Sequence, residues 1–439
     1  MPTLTFLAPE HFHAALTLRE RHPRLDEEIF VYAAAAAEIR EFLDLVARFN
    51  ARPERPTRWR PVARVGSDPL GRLLSERTGD LVVVAGRNDR KMDWIRRLHD
   101  VGLAVLADKP WMTGSDGLAD LRQTLAGPPL AMEIMTGRHV VTTVVTRMLV
   151  GTPEVFGTLV AHGDDGAAVT LDGVHFLEKR VNGAPLRRPP WYFDVRVQGD
   201  GLADIPTHIV DYAQQIVAAA RDGDASRPGP GLQAVSARCW PTLVPRELFA
   251  RVTGEPDFPV ALGHLVAGGR LVYMSNAELT FRCGDVLVHA STRWELSAPA
   301  GGGDTHRARL RGTRADIHVE QNAGTGWRRR LTVEPRPGAA TVEEALRRWT
   351  TTVQGIVPGL AIGPAENGWE VLIPSALRTG HESHFPLVLD EFVGHVERAE
   401  WPASRAASTL AKYEVLAQAR ELSETGGAGK DAMSGLRRA

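Results

Sequence analysis

The sequence holds only two cysteines, Cys239 and Cys283, among 439 residues. That is too few, and they lie too far apart, for a disulfide framework or a thiolate zinc site; they read as reduced core residues, which fits a cytoplasmic protein. An excess of either charge is also missing. Lys and Arg number 52 against 53 for Asp and Glu, so no global field draws nucleic acid or an anionic membrane. No apolar run approaches the ~20 residues of a membrane span, and Met1 to Leu7 lack the basic region and long apolar segment of a secretion signal. The expectation is a soluble chain with neither nucleic acid nor membrane as partner.

What is present is length and alternation. A chain of 439 residues suits two domains with a terminal extension. Over the first ~130 residues short apolar runs alternate with amphipathic stretches, the sequence form of repeated βα units on a parallel sheet. Strands are expected at Thr3 to Leu7, Ile29 to Tyr32, Leu81 to Ala85, Leu103 to Ala107 and Leu130 to Met135. Helices are expected over Phe12 to Arg19, and where Ile39, Phe42, Leu43, Val46 and Phe49 share one stripe. Two more would bury Met92, Ile95 and Leu98, and, behind a Ser115 cap, Leu118, Leu121 and Leu125. Past residue ~150 the pattern turns to polar loops and β-like segments such as Gly269 to Met274, Leu279 to Arg282 and Val286 to Ala290. The fold class is α/β: an N-terminal Rossmann-like domain (1–130), then an α+β domain with a mainly antiparallel open sheet (131–422). The Gly-rich tail (423–439) buries too little apolar area to order itself.

Two segments carry chemistry. The first is Val101-Gly-Leu-Ala-Val-Leu-Ala-Asp-Lys-Pro110; the second, about a hundred residues on, is Gly199-Asp-Gly-Leu-Ala-Asp204-Ile-Pro-Thr-His208-Ile-Val-Asp211. Spacings of four, three and four set Asp204, His208, Asp211 and Gln215 along one helical stripe, beside an apolar stripe of Ile205, Ile209, Tyr212 and Ile216 that would dock the helix. In order and separation the two segments resemble the glucose-fructose oxidoreductase, inositol dehydrogenase and rhizopine-catabolism family (Gfo/Idh/MocA). Asp108 stands where a Glu is usual, and Lys91 where a His is common. Asp304-Thr305-His306, Gly380-His-Glu-Ser-His-Phe385 and Ala411-Lys-Tyr-Glu414 resemble a branch of it with a distinctive oxidoreductase C-terminal domain.

The resemblance implies NAD or NADP as cofactor, a carbohydrate substrate and a homo-oligomer. It assigns catalysis to Lys109, Asp204 and His208, with His208 as base, and cofactor contacts to Pro9, His11, Phe12, Tyr32, Gly86, Asn88, Asp108 and Lys109. Asp211, with Glu133 and Arg138 at a strand's carboxyl end and the Trp191 to Asp194 segment ahead of the Gly-rich turn, is a candidate for substrate binding. Core packing competes for Trp191, and a helix N-cap for Asp204.

The chain departs from the family at the first turn. Leu7-Ala-Pro-Glu-His-Phe-His13 contains no glycine, so the tight turn, the close backbone approach to pyrophosphate and the close helix-to-strand packing are all lost. A Glu10 carboxylate ~5 Å from a phosphate would repel it by roughly 3 kcal/mol at an effective dielectric of 20, which a protonated His11 or His13 would offset in part. The second strand ends in Val31-Tyr32-Ala33, without the acidic residue that holds a ribose hydroxyl. Two alternatives follow: a non-redox sugar-binding or partner subunit that has lost the nucleotide, and an epimerase or lyase using the same groups for proton transfer. His175 with Lys179, and Asp304 with His306, read as solvated loops. His381 and His384 do not have the spacing of a His-Glu-x-x-His zinc motif, so no metal ligand set is expected.

Overall fold

The computed structural model describes residues 1–160, 166–181, 184–223, 230–339 and 341–425. The described residues fold into two compact units, Met1–Val140 with Thr379–Leu410, and Val141–Arg378 with 411–425. The first unit thus draws on a return segment that the sequence reading places inside the second domain.

In the first unit β1 (Leu4–Leu7), α1 (His13–Leu16), β2 (Glu28–Ala33), α2 (Arg40–Ala51), β3 (Arg60–Val65), α3 (Pro69–Glu76), β4 (Leu81–Val84), α4 (Lys91–Asp100), β5 (Ala104–Asp108), α5 (Leu118–Thr124) and β6 (Ala131–Ile134) alternate along the chain. All six strands pair in parallel, in the order β3-β2-β1-β4-β5-β6. Connections leave β1 toward opposite edges, so the switch point lies between β1 and β4, where doubly wound sheets bind ligand at the carboxyl ends. Leu81, Val82, Val83 and Val84 are all buried, as a strand covered on both faces requires. Phe42, Val46 and Phe49 form the inner stripe of α2, and Phe42 packs on Phe6 with ring centroids 4.9 Å apart.

Within this alternation two elements, β3 and α3, are not among the sequence expectations. β3 is an edge strand with alternating exposure and a proline, and α3 begins at a cap in which Asp68 accepts from the Gly71 amide with Pro69 in the first turn. The helix expected over Phe12 to Arg19 is a single turn. Gly117, not Ser115, precedes α5.

The second unit continues with α6 (Val141–Val150), β7 (Val169–Glu178), β8 (Arg180–Val181), β9 (Ala184–Pro185), α7 (Val195–Gln198), α8 (Pro206–Asp222), β10 (Leu232–Pro245), α9 (Arg246–Thr253), β11 (Val266–Ala267), β12 (Arg270–Cys283), β13 (Val286–Ser297), β14 (Thr305–Arg311), β15 (Ala315–Gln321), β16 (Arg330–Pro335), α10 (Val342–Thr352), β17 (Ala361–Ala365) and β18 (Gly368–Leu372). Its ten-stranded sheet runs β10-β12-β13-β7-β14-β15-β16-β18-β17, with β11 beside β12. Every pair is antiparallel except β13 with β7. The two segments expected at Gly269–Met274 and Leu279–Arg282 are one continuous strand, β12.

One face of the sheet presents Val169, Leu171, Leu279, Phe281, Val286 and Val288 to α8 in a single core. The helix docks there through Val210, Ala213, Ile216 and Val217, whereas Ile205, Ile209 and Tyr212 of the expected stripe are only partly buried. α11 (Phe385–Glu397) belongs to the return segment and buries Phe385, Val388, Leu389 and Phe392 in the first unit's core. α12 (Ala403–Thr425) includes the first three residues of the expected tail, Ser423 to Thr425; 426–439 lie outside the described residues. No helix among the described residues is long and apolar enough to cross a membrane.

Candidate functional site

In the first unit the parallel register brings the ends of β1, β4 and β5 to one edge. Leu7 pairs with Val84, and Val84 with Ala107, so the turn after β1, the loop after β4 and Asp108-Lys109 after β5 share that edge. The turns pack closely: a Cβ on Gly86 would lie 2.4 Å from the Ala8 carbonyl oxygen, so this position tolerates only glycine. Asn88 and Lys91 are buried. Lys91 Nζ donates to Asn88 Oδ1 at 2.5 Å and to the Asp108 carbonyl at 2.9 Å, tying the β4 loop to the end of β5. Asp108 Oδ1 accepts from the Lys109 amide at 3.0 Å, and its Oδ2 lies 2.9 Å from His13 Nδ1 and 3.6 Å from His11 Nδ1.

Burial opposes ionisation of Asp108, but His13, Lys91 and His11 hold its carboxyl well below the usual carboxylate range. Burial first, and His13 second, push His11 well below the ordinary imidazole range. Its Nδ1 is buried and makes no hydrogen bond. Glu10 stands beside them, lifted to about 7 by burial and by Glu38. Pro9 is buried in the same turn and Phe12 packs edge-on against His13. The Tyr32 hydroxyl donates to Glu76 Oε2 at 2.6 Å and meets Thr78 Oγ1, which braces β2 against the end of α3. His381 comes from the return segment, its ring centroid 5.8 Å from that of His13 and its Nε2 3.1 Å from Thr136 Oγ1. Glu133 is buried on β6 and Arg138 half-buried in the 3-10 turn that follows.

Asn88, Asp108 and Lys109, the residues that the family resemblance assigns to a dinucleotide, thus meet at this edge. The pyrophosphate end differs from the glycine cradle: one helical turn follows β1, and His11, His13 and Glu10 occupy the positions of the missing glycines.

In the second unit the Gly-rich turn positions Asp204 and His208. Gly199 adopts φ +95°, and a Cβ on Gly201 would sit 2.5 Å from the Asn276 carbonyl oxygen of β12. Asp200 accepts from the Leu202 and Ala203 amides at 3.0 and 3.2 Å and pairs with Arg420 at 2.7 Å. The chain then enters α8 with Pro206 in its first turn and His208 one position into the helical ladder, half-buried. Asp204 is not the N-cap; the cap position is Ile205. The Asp204 side chain is buried and accepts from the Tyr192 hydroxyl at 3.3 Å. Asp211 is also buried and accepts from Gln215 Nε2 at 2.6 Å.

Asp194 caps α7 by accepting from the Arg196 amide and pairs with the Arg196 guanidinium at 2.7 Å. Tyr192 and Phe193 lie in a satellite core with Phe249, Tyr273 and Trp294, and Trp191 packs against its edge. His175, Lys179, Asp304 and His306 are not solvated loops: Asp304 Oδ2 joins His175 Nδ1 at 2.9 Å and Lys179 Nζ at 2.5 Å, with the His306 ring 5.7 Å from His175. Arg188, which sequence reading missed, lies over Tyr192 and Trp294 at 4.6 and 5.1 Å and donates to the Leu177 and Phe176 carbonyls.

A family model described as "Putative oxidoreductase C terminal domain" matches residues 145–424. A crystal structure of a "putative oxidoreductase" from Parabacteroides merdae is 30% identical with a TM-score of 0.90, over 97% of this chain and 98% of that one. Levoglucosan dehydrogenase, solved with NADH and L-sorbose, is 12% identical with a TM-score of 0.57, over 96% and 97% of the two chains. GenD2 from gentamicin A biosynthesis, solved with NAD, is 17% identical with a TM-score of 0.55, over 97% and 95%. The last two show likeness of fold alone. No curated protein matches.

Proposed function

As this chain belongs to the Gfo/Idh/MocA-type oxidoreductases, in the branch defined by that C-terminal domain, we propose that it works on a hydroxyl-bearing carbon of a sugar, polyol or glycoside with NAD or NADP. The observation that carries the reading is Lys109 at the carboxyl end of β5, in a parallel sheet of dinucleotide-fold order. The NAD and NADH held by GenD2 and levoglucosan dehydrogenase support it. A nicotinamide supplies the hydride chemistry when bound.

The chain's own residues handle the proton and the polar groups. His208 takes the hydroxyl proton during oxidation and returns it during reduction, because an imidazole changes charge near neutral pH. Asp204 stabilises the cationic imidazole, and Lys109 polarises the reacting oxygen. Asn88 and Asp108 serve the cofactor, and Glu133, Arg138 and Asp211 the substrate hydroxyls. A homo-oligomer belongs to the same reading.

The test is calorimetry with NAD and NADP, followed by sugar-dependent reduction read from nicotinamide absorbance. Lys109→Ala and His208→Ala should each lower turnover by roughly 10²–10⁴-fold with unfolding unchanged. A chain that binds neither dinucleotide overturns the reading. The glycine-free turn and Glu10 favour, as the second reading, a sugar-binding subunit without redox chemistry; it would respond in calorimetry to sugar and not to nucleotide.

A further inference from the structure

We propose that the first unit binds one divalent transition-metal cation through His11, His13 and Asp108 at the carboxyl ends of β1 and β5. One ring nitrogen from each histidine and one carboxylate oxygen lie within 4.8 Å of one another. Both Nδ1 atoms face the same Asp108 oxygen, at 2.9 Å for His13 and 3.6 Å for His11. A tetrahedral ion with bonds of about 2.0–2.1 Å holds its ligand atoms about 3.3 Å apart. The two histidine–carboxylate distances bracket that value, and all three ligand atoms lie within 4.8 Å of one another, so side-chain adjustment alone brings them to ligation.

A second observation points to a ligand. His11 Nδ1 is buried without a hydrogen-bond partner, although buried polar atoms are almost always satisfied. The three side chains are only 18%, 14% and 7% exposed, in the order His11, His13, Asp108. A cation supplies the missing partner and replaces the His13–Asp108 hydrogen bond by two metal bonds.

Two imidazoles and one carboxylate suit zinc, iron(II), cobalt(II) or manganese(II) and leave coordination positions open for oxygen. Supporting groups are in place: Asp108 is oriented through its Oδ1 by the Lys109 amide, and Lys91 grips its carbonyl. Lys91 and Lys109 oppose an added positive charge, so the site is weaker than a closed four-ligand structural site. Its sequence position is informative, because His11 and His13 fall in the turn that has lost the phosphate-binding glycines. An ion there would offer phosphate oxygens an anchor in place of backbone amides; that extension rests on the dinucleotide reading, and the metal site itself does not.

The experiment uses the full chain without a histidine tag, stripped with chelator and titrated with cobalt(II) alone and then with zinc(II) as competitor. Visible absorption and elemental analysis after dialysis are the readouts, so no activity is required. Saturable uptake of about one equivalent, with ligand-field bands displaced by zinc, is expected. The His11→Ala/His13→Ala pair and Asp108→Asn should each weaken cobalt binding at least about tenfold, and His395→Ala should not. If the double variant fails to fold by circular dichroism, His13→Gln is read in its place. No saturable uptake, or equal binding by wild type and a folded ligand variant, overturns the proposal. Calorimetry with NAD and NADP on the stripped chain is scored separately, so loss of the metal site and loss of the dinucleotide reading are distinguishable.

Discussion

Replacing Asp304 should unfold the second unit more readily than any change at its surface. Its carboxylate takes the His175 ring at 2.9 Å, the Phe176 amide at 3.2 Å and Lys179 Nζ at 2.5 Å. The Lys179 side chain is only 15% exposed, so Asp304→Ala leaves a largely buried ammonium without its carboxylate. Breaking one side of such a pair costs about 3–5 kcal/mol, which for a unit of this size corresponds to a fall of roughly 10 °C in Tm. Removing the ammonium as well, in Asp304→Ala/Lys179→Met, should recover at least about 1–2 kcal/mol of that loss, because no uncompensated charge remains.

The pH arm has a definite sign. Burial would raise the Asp304 pKa, but His175 and Lys179 hold it below the ordinary carboxylate value. A depressed pKa stabilises the fold above the unfolded value of about 3.9, and the gain is lost as pH falls toward the folded one. The difference between wild type and Asp304→Asn should therefore shrink as pH falls below about 4. Urea unfolding followed by circular dichroism measures both arms. A cost under about 1 kcal/mol for Asp304→Ala, or strict additivity with Lys179→Met, would refute the reasoning.

Three further outcomes follow from packing. Phe42→Ala removes a side chain 2% exposed that packs at a tilt against Phe6, and should cost about 3–5 kcal/mol, read by urea unfolding. Gly201→Ala places a Cβ against the Asn276 carbonyl; it should destabilise by roughly 1–3 kcal/mol or more and lower activity with it, whereas the exposed Gly324→Ala should do neither. Cys239 and Cys283 are buried thiols pushed up to about 12 by desolvation. They should resist a thiol reagent at neutral pH in the native chain and both react in denaturant.

Much of this molecule is dictated locally. Leu81 to Val84 reads as a buried strand, the spacing of Phe42, Val46 and Phe49 as one face of a helix, and Gly199, at φ +95°, and Gly201, pressed on the Asn276 carbonyl, mark a turn that needs glycine. The order of the Asp-Lys-Pro loop and the Asp204/His208 helix was legible for the same reason, since each motif is short and contiguous. The edge strand β3 escaped because half-exposed residues and a proline carry little periodic signal. The expected stripe catches only part of the face by which α8 docks, Ile216 with Ile209 and Tyr212 at its margin, because the helix is buried around much of its circumference and periodicity has little contrast there. Distance along the chain hid the rest. Asp304 meets His175 across 129 residues, His13 meets Asp108 across 95, and residues 379–410 return to the first unit. Strand order and register create those neighbours, and no local propensity encodes either, so the sequence determined the elements while only the tertiary structure decided which charges face one another.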